Sequence, residues 1–331
     1  MLPATLAAAV ASDAVEIIVV DDNSCDATPR ILAHWQQREA RVRVLAAGAL
    51  PAGWTGKNHA VWVGAQAATQ PWLLFLDADT RLLPGGLLAA WQWAGEQRLD
   101  ALSLSPEQET GSWWERAAQP VVFHRLGRTF SFDEINDPGH EAAAANGQFI
   151  LIRRDAYFGI GGHEALRGEV LEDVSLARRL KQQGYAFSFR SGAGWVRTRM
   201  YRDLHGLWQG WSKNLYLLFG PPWRGGRVLL CFLPLLGMLT CLFLVALQWW
   251  TAAVGLAGII GLAHLRYARH LRRIGWRGAR YYGPGSALVG MMWWNSARLH
   301  RRSQTVRWKG REISVAEPEA DMAAHNSSHS G

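Results

Sequence analysis

The sequence predicts an α/β protein with a Rossmann-like mixed, mostly parallel sheet, followed by apolar helices that cross or line a membrane. The segments Val15–Val20 and Trp72–Leu76 are rich in β-branched and large apolar residues, as buried parallel strands are. A helix-like segment separates such strands at the spacing of βαβ units. Later in the chain, Val228–Trp250 contains no charged residue and is long enough to span a bilayer.

The other elements of the predicted sheet follow in chain order. A helix is expected over Thr28–Arg38, a strand over Val42–Leu45 and a second helix over Asn58–Ala68. The middle of the chain has strand-like segments at 99–104, 148–152 and 185–190, and helix-like segments at 113–128 and 169–183. With 331 residues, the chain can hold one large α/β domain and an appendage.

Composition narrows the class of partner. The chain is 49% hydrophobic with a net charge of +8, so it is not disordered as a whole. Its basic residues cluster beside the apolar segments, which favours an anionic membrane surface over nucleic acid. The 18 Trp residues suit a membrane–water interface. Three Cys residues have no metal-ligand spacing and are expected to be reduced, and no cleavable signal peptide is evident.

The apolar segments predict a membrane region. Spans are expected at about 228–250 and 251–266, and a third apolar segment at about 285–297 is too short to span comfortably and could be re-entrant or lie in the interface. The expected domains are a catalytic domain over 1–222, the membrane region over 223–311 and a disordered tail over 312–331. Arginines flank the predicted hairpin on one side, which predicts an inner-membrane protein with a cytoplasmic catalytic domain. Burial of these helices inside a soluble domain is the alternative.

Acidic residues follow two of the predicted strands. Asp21 and Asp22 come directly after the first, and Asp77 and Asp79 follow the second. Ligands of open α/β sheets bind at the carboxyl ends of strands, so both pairs are candidates for one site. Two carboxylates one residue apart can share Mg²⁺ or Mn²⁺, which would also bridge to substrate phosphates. Capping of the next turn is the alternative for Asp21 and Asp22.

A combination of motifs carries a family resemblance. In chain order they are Asp21-Asp22-Asn23-Ser24, Gly56-Lys57, Asp77-Ala78-Asp79, Glu172-Asp173 and Gln209-Gly210-Trp211. Together they resemble the family 2 glycosyltransferases, which have the GT-A fold. The segments Gly53–Ala60, Leu102–Glu109 and Trp308–Arg311 are similar to the membrane-bound branch that acts on carotenoid, hopanoid or glycerolipid acceptors.

The resemblance implies roles on the donor side. Asp22 would contact the nucleotide base and Asp21 would support the same loop, while Lys57 would lie near the phosphates. Asp79 would be the principal metal ligand, with Asp77 directed toward the ribose or the metal's waters. The implied donor is a nucleotide sugar, most simply a UDP-sugar, bound with Mg²⁺ or Mn²⁺.

The resemblance also implies the catalytic and acceptor residues. Asp173 would be the general base that takes the proton of the acceptor hydroxyl, and Glu172 would help to position it. One direct displacement would then invert the anomeric centre. On the acceptor side, Trp211 would stack on a substrate, and Lys213 would replace the Arg of the processive Q-x-x-R-W motif. Asn146 would line the site, and a tight turn at 146–148 is the alternative for that segment.

One departure from the family pattern stands out. Family members begin with a central strand that ends in a P-x-x-N-E-like loop, whereas the helix-like segment here starts at Met1. The first strand is therefore expected to be missing, which would leave strand edges unpaired and remove part of the nucleotide pocket.

Three other interpretations remain at this stage. Asp77-Ala-Asp79-Thr80 also fits the D-x-D-x-T loop of haloacid-dehalogenase phosphatases, in which Asp77 would be the nucleophile. A non-catalytic membrane protein that retains the fold is a second alternative. Glu172 and Asp173 could also form a solvated helix face with Arg178 and Arg179.

Overall fold

The computed structural model describes residues 1–273, 281–302, 305–308 and 311–314. The chain divides into two compact units. The first contains Met1–Arg202 and takes in Ala263–Arg273 of a later helix, and the second contains Asp203–Leu262 and the described residues from Tyr281 onward.

The first unit alternates strands and helices, as the sequence predicts. Its elements are α1 Leu2–Val10, β1 Ile17–Asp21, α2 Thr28–Arg38, β2 Val42–Ala46, α3 Gly56–Ala67, β3 Trp72–Leu76, β4 Thr80–Leu82, α4 Gly86–Glu96, β5 Ala101–Ser105, β6 Glu107–Gln108, α5 Trp113–Thr129, α6 Phe132–Asn136, β7 Phe149–Arg153, α7 Arg154–Gly159, α8 Glu172–Gln182, β8 Phe187–Ser191 and β9 Val196–Thr198. The α/β prediction is confirmed, and most element boundaries differ from the expected ones by three residues or fewer.

The strands form a mixed α/β arrangement in three groups. β1 pairs in parallel with β2. Four strands form a sheet in the order β3-β7-β5-β8, in which β7 is antiparallel to both neighbours and β5 is parallel to β8. β4, β9 and β6 form the third group. Because β7 and β4 run against their neighbours, antiparallel pairs have a larger share than the mostly parallel sheet that we predicted.

The two strands that precede the acidic pairs lie at sheet edges. Within the described strands, β1 is bonded only to β2, and β3 only to β7. Most residues of both strands are half-buried, whereas four of the five residues of β5 and of β7 are buried.

Alternate residues of β5 and β7 form two core layers. Ala101, Ile150 and Ile152 pack on one face with α7 and α8, while Leu102 and Leu151 pack on the other face with α4. This period of two places the sheet between helices on both sides, as α/β folds require. The sheet therefore supports the end of β3, which Asp77 and Asp79 follow.

The second unit is mainly helical. Its elements are α9 Leu204–Phe219, a 3-10 turn Arg224–Gly226, α10 Arg227–Ala246, α11 Trp250–Arg273 (shared with the first unit), α12 Tyr282–Arg302, and the antiparallel strands β10 Thr305–Trp308 and β11 Arg311–Ser314. Of the predicted disordered tail, residues 312–314 belong to β11 and 315–331 lie outside the described residues.

Two described helices are long and apolar enough to cross a membrane, at Arg227–Ala246 and Trp250–Arg269, and only 11% of each is buried. They coincide with the two spans expected from the sequence. α12 has 21 residues and extends the expected third segment at both ends. It packs on α9, where the indole nitrogen of Trp293 donates to the carbonyl of Gly220 at 2.9 Å and Ser296 Oγ accepts from the Tyr216 amide at 2.9 Å.

Candidate active site

Four of the residues that the sequence singles out meet in one cluster. Lys57 Nζ lies 2.8 Å from Glu172 Oε1 and 3.2 Å from Asp77 Oδ1. Asp173 adjoins Glu172, and its charge also acts on Lys57. The cluster joins the beginning of α3, the end of β3 and the first turn of α8. These three elements are far apart in sequence, so their convergence is a property of the fold.

The position of Lys57 follows from the way α3 begins. Thr55 is the N-cap residue, and its side chain accepts a hydrogen bond from the Asn58 amide at 3.2 Å. The buried Asn58 side chain donates to the carbonyls of Leu166 at 2.7 Å and Glu169 at 3.0 Å. The first turn of α3 is thereby fastened to the segment that leads into α8. Sequence reasoning missed Asn58, and the only available signal was its place directly after Lys57.

The electrostatics of Lys57 keep it charged. Desolvation works to lower the pKa of Lys57, but the carboxylates of Asp77, Glu172 and Asp173 raise it well above its usual value. Glu172 is 7% exposed and contacts Lys57, so it does not belong to a solvated helix face. Arg179, the alternative partner in sequence, instead donates to the carbonyl of Ile160 at 3.0 Å.

Asp173 is held by two backbone amides. Its Oδ2 accepts from the Gly147 amide at 2.9 Å and its Oδ1 accepts from the Val174 amide at 2.9 Å. Burial raises the pKa of Asp173 to about 6, and the neighbouring Glu172 charge adds to the effect against the opposing influence of Lys57. A carboxylate with this pKa is ionised at neutral pH and remains basic enough to accept a proton.

Gly147 lies at the centre of the cluster. A Cβ at this position would lie 3.0 Å from Lys57 Nζ and 3.4 Å from Glu172 Oε1. A side chain here would therefore press on the cation and on one of its carboxylate partners. No local pattern in the sequence indicates that Gly147 itself contacts the cluster.

Asp79 is held on a different set of partners. Thr80 Oγ1 donates to Asp79 Oδ1 at 3.2 Å, and Thr198 Oγ1 donates to the Asp79 carbonyl at 3.2 Å. Burial raises the pKa of Tyr201, and the Asp79 charge contributes to that rise, so the phenol lies within electrostatic range of this carboxylate. Asn146 is connected to the same region, because its amide donates to Gln148 Oε1 at 3.3 Å and Gln148 contacts Thr198.

The remaining predicted residues belong to other elements. Asp21 Oδ1 accepts from the Ser24 amide at 3.2 Å, which is a contact within its own loop, and Asp22 beside it is half-buried. None of the contacts described above joins this loop to Lys57. Trp211 and Lys213 are on α9 in the second unit, where Trp211 is 3% exposed and Lys213 is half-buried.

The carboxylates of Asp77 and Asp79 suit a metal ion whose remaining ligands are supplied by the substrate and by water. Within the described ranges, no three His, Cys, Asp or Glu side chains come together as a metal site. Mg²⁺ is usually bound through one or two carboxylates, with substrate phosphates and water supplying the other ligands. Asp77 and Asp79, both half-buried at the end of β3, provide two such carboxylates. These residues therefore fit a divalent cation held jointly with a nucleotide diphosphate.

Sequence reasoning also missed a buried pair behind the cluster. Tyr157 Oη lies 2.9 Å from His163 Nδ1 and accepts from the His163 backbone amide at 3.0 Å. Burial lowers the pKa of His163 to about 4, and the charges of Glu172 and Lys57 also act on it. His163 is therefore neutral at physiological pH and lies within electrostatic range of the cluster.

Known proteins provide a direct comparison. Residues 1–159 match the family model described as Glycosyl transferase family 2. Over 310 residues the chain is 25% identical to a 4,4'-diaponeurosporenoate glycosyltransferase of Staphylococcus haemolyticus (strain JCSC1435), with 91% of this chain and 81% of that protein covered.

Two solved structures are also similar. The mannosyltransferase PcManGT from Pyrobaculum calidifontis, in complex with GDP-Man and Mn²⁺, is 16% identical with a TM-score of 0.48, over 90% of this chain and 82% of that one. Residues 1–349 of S. aureus TarS, in complex with UDP-GlcNAc, are 13% identical with a TM-score of 0.44, over 96% of this chain and 93% of that one.

The family match decides against the phosphatase interpretation of residues 76–80 and identifies the enzyme class. The chain is a glycosyltransferase, and residues 1–159 are its match to glycosyltransferase family 2.

Proposed function

We propose that this enzyme is an inverting, membrane-bound glycosyltransferase that moves a sugar from a nucleoside-diphosphate donor to a lipid or isoprenoid acceptor. The observation that carries the proposal is the convergence of Lys57, Asp77, Glu172 and Asp173 beside the loop that contains Asp79. This cluster combines a cation for phosphates, carboxylates for a metal, and a carboxylate with a raised pKa.

On the donor side, Asp22 contacts the base of the nucleotide and Asp21 supports its loop. Lys57 approaches the diphosphate as a fixed positive charge. Asp79 and Asp77 would hold Mg²⁺ or Mn²⁺, which would supply positive charge next to the leaving nucleoside diphosphate. A UDP-sugar is the proposed donor.

On the acceptor side, Asp173 takes the proton of an attacking hydroxyl, with Glu172 fixed beside it by Lys57. The backbone amides of Gly147 and Val174 hold the Asp173 carboxylate in one orientation. Attack from the face opposite the leaving diphosphate inverts the anomeric centre in one step. If the acceptor group is a carboxylate, there is no proton to remove, and the role of Asp173 becomes orientation of the acceptor.

The acceptor class is proposed from the chain's relative and from its helices. The relative is named for action on 4,4'-diaponeurosporenoate, which supports an isoprenoid acceptor with a hydroxyl or carboxyl group. Asn146 is proposed to line the acceptor side of the site. Trp211 and Lys213 remain proposals from the sequence for contacts with the acceptor. An apolar acceptor of this kind would be reached from the membrane.

Membrane attachment is proposed through residues 223–311, following a glycosyltransferase domain over 1–222. α10 and the first part of α11 form a hairpin, in which Cys241 Sγ contacts the Ala253 carbonyl at 3.5 Å. Arg224 and Arg227 precede the first span. Positive charge on that side predicts that it faces the cytoplasm, so we place the catalytic domain on the cytoplasmic face of a bacterial-type inner membrane.

The test is lipid labelling in membranes that contain the full chain. Membranes are incubated with a panel of radiolabelled nucleotide sugars and Mn²⁺, and the lipids are then extracted and counted. We expect one sugar to label a lipid, and we expect the Asp79→Ala variant to lose at least about 100-fold of that label. The exposed Asp133→Asn variant is a matched control that should retain full labelling. Persistent labelling by Asp79→Ala would contradict the proposed metal role.

A measurement of donor binding distinguishes an active enzyme from a non-catalytic protein that retains the fold. Calorimetric titration of the purified chain with UDP and Mn²⁺ should give saturable binding that the Asp79→Ala change removes. Absence of binding by the unaltered chain would favour the non-catalytic alternative.

A further inference from the structure

The pairing of α12 with α10 fixes the depth at which α12 would begin in a membrane. A Cβ on Gly283 would lie 3.6 Å from the Cα of Leu235 and 2.7 Å from Met238 Sδ. Further along α12, a Cβ on Gly290 would lie 2.9 Å from the Cβ of Cys231. The two helices are therefore antiparallel and closely packed, and α12 begins beside the middle of α10.

Aromatic contacts fix the other end of α12. The rings of Trp223 and Trp294 are 6.3 Å apart, and the Arg301 guanidinium lies 4.7 Å over the Trp223 ring. Arg224 and Arg227 are at this same end of α10. Tryptophan rings and arginines are the side chains that favour the membrane–water interface. This end of α12 thus has the composition of an interface, whereas Gly283 near its beginning packs against the apolar Leu235 and Met238 of α10.

The depth of the beginning follows from helix geometry. Leu235 and Met238 are 8 and 11 residues beyond Arg227 in α10. At about 1.5 Å per residue these positions are about 12 and 17 Å from the end of the helix. A hydrocarbon layer about 30 Å thick has its midplane at about 15 Å. Gly283 therefore lies at the level of the bilayer midplane if α10 spans it.

The exposed side of α12 matches this placement. Pro284, Met291 (46% exposed) and Trp294 (53% exposed) form an apolar stripe that ends at the exposed Arg298. No residue from Tyr282 to Ala297 is charged. Pro284 also occupies the first turn, where it removes an amide that would otherwise need a partner in hydrocarbon.

We propose that α12 is a half-membrane helix, which begins at the bilayer midplane and ends at the arginine-rich interface, with its apolar stripe against the lipid chains of that one leaflet. The proposal rests on the membrane attachment put forward under the proposed function. It assigns the surface from Pro284 to Trp294 to lipid chains of the leaflet at the basic end, which is the cytoplasmic leaflet in the proposed orientation.

Spin-label depth measurements test the proposal in the full chain. Single cysteines are placed at Pro284, Met291 and Arg298, after Cys25, Cys231 and Cys241 have been changed to alanine. These α12 positions are exposed and are spaced seven residues apart, which is about 10 Å along a helix. A matched series at the exposed Leu229, Leu236 and Phe243 of α10 has the same spacing and measures the span itself. The protein is reconstituted in phospholipid vesicles, and depth is obtained from collisions with oxygen and with a water-soluble nickel complex.

We expect the label at 284 to match the depth of the label at 236, the label at 291 to be about 10 Å shallower, and the label at 298 to be in the headgroups or water. A cysteine at Leu288 provides a further position if the Pro284 change disturbs the helix, and it should lie about 6 Å shallower than 284.

Other patterns would overturn the proposal. Equal depths at 284, 291 and 298 would mean a helix lying flat in the interface. A label at 284 as close to the far headgroups as the label at 243 would mean a complete span. If the α10 series itself is outside the hydrocarbon, membrane attachment fails together with the half-membrane helix, whereas a normal α10 series with a flat α12 series rejects the half-membrane helix alone.

Discussion

Replacing Asp173 by asparagine should abolish most of the activity and at the same time stabilise the fold. The carboxylate is the proposed base, and general base catalysis typically contributes about 10²- to 10⁴-fold. We therefore expect kcat for a hydroxyl acceptor to fall by that range, with little change in the KM of the donor. The assay is the initial rate of sugar transfer into extracted lipid, with Asp133→Asn as the control.

The pH profile of the unaltered enzyme should report the same group. The pKa of Asp173 is about 6, so activity should rise through pH 6, and at pH 5 it should be about one tenth of the plateau. The Asp173→Asn variant should lose this inflection in its residual activity. A profile that is flat between pH 5 and 7 in the unaltered enzyme would refute the assignment.

Stability gives an independent measure of the same pKa. Between the ordinary pKa of 3.8 and about 6, the folded state binds more protons than the unfolded state, so the free energy of unfolding falls as pH rises through this window. The ionised carboxylate then costs at most about 3 kcal/mol at pH 7, and asparagine removes that cost while losing one amide hydrogen bond worth about 1 kcal/mol. A net gain of about 1–2 kcal/mol is expected, seen as a higher thermal midpoint at pH 7. A variant less stable than the unaltered chain at pH 7 would refute the reasoning.

Three other substitutions test the neighbours of Asp173. Lys57→Met should raise the KM of the nucleotide sugar by at least about 10-fold, because a cation near the phosphates is lost; an unchanged KM in transfer assays would contradict this role. Gly147→Ala should lower kcat by about 10-fold, since the added Cβ would lie 3.0 Å from Lys57 Nζ. Equal rates for the variant and the unaltered enzyme would show that the cluster can shift without loss of activity. Thr198→Val should weaken Mn²⁺-dependent UDP binding several-fold, because it removes the hydrogen bond from Thr198 to the Asp79 carbonyl. Calorimetry measures the affinity, and a correctly folded variant that binds UDP as tightly as the unaltered chain would contradict this role of Thr198.

The sequence predicted the strands of the first unit better than the way they are arranged. Apolar runs located β1 and β3, although β3 pairs with an antiparallel strand and most residues of both strands are only half-buried. The direction of β7 was not predictable, since residues 148–152 have the same composition whichever way the strand runs. The antiparallel direction of β7 between β3 and β5 depends on tertiary contacts in the sheet, and no local sequence pattern predicts it.

For the site, too, the sequence predicted which residues matter better than how they are arranged. Asp77 was indicated by its place after a predicted strand, whereas Lys57, Glu172 and Asp173 were found through motifs that resemble a family. The structure then showed that Asp77 and Glu172 contact Lys57 and that the charge of Asp173 acts on it. The helix expected over 169–183 begins at Glu172, which places the acidic residues in its first turn beside the amide ends of the helix. Its N-cap residue, Leu171, forms no side-chain cap, so no capping signal could have located this boundary.

The sequence did not predict the residues that support the cluster through tertiary contacts. Asn58 is buried, and its contacts are more than 100 residues away in sequence. Gly147 is recognisable only when the positions of Lys57 and Glu172 are known. Both depend on tertiary contacts, which have no periodicity or spacing of their own.

The charge of the cluster gives a physical reason for the divalent cation. The charges of three carboxylates, Asp77, Glu172 and Asp173, act on the Lys57 ammonium, and Asp79 follows Asp77 by two residues. The nucleotide's diphosphate is also anionic. At an effective dielectric constant of 20, two like charges about 6 Å apart repel by about 3 kcal/mol, which is about 100-fold in affinity. We therefore expect UDP to bind at least about 100-fold more weakly in EDTA than in Mn²⁺ when both are measured by calorimetry at the same ionic strength. Equal affinity in the two conditions would mean that the carboxylates face away from the diphosphate, and the donor-side assignment of Asp77 and Asp79 would then fail.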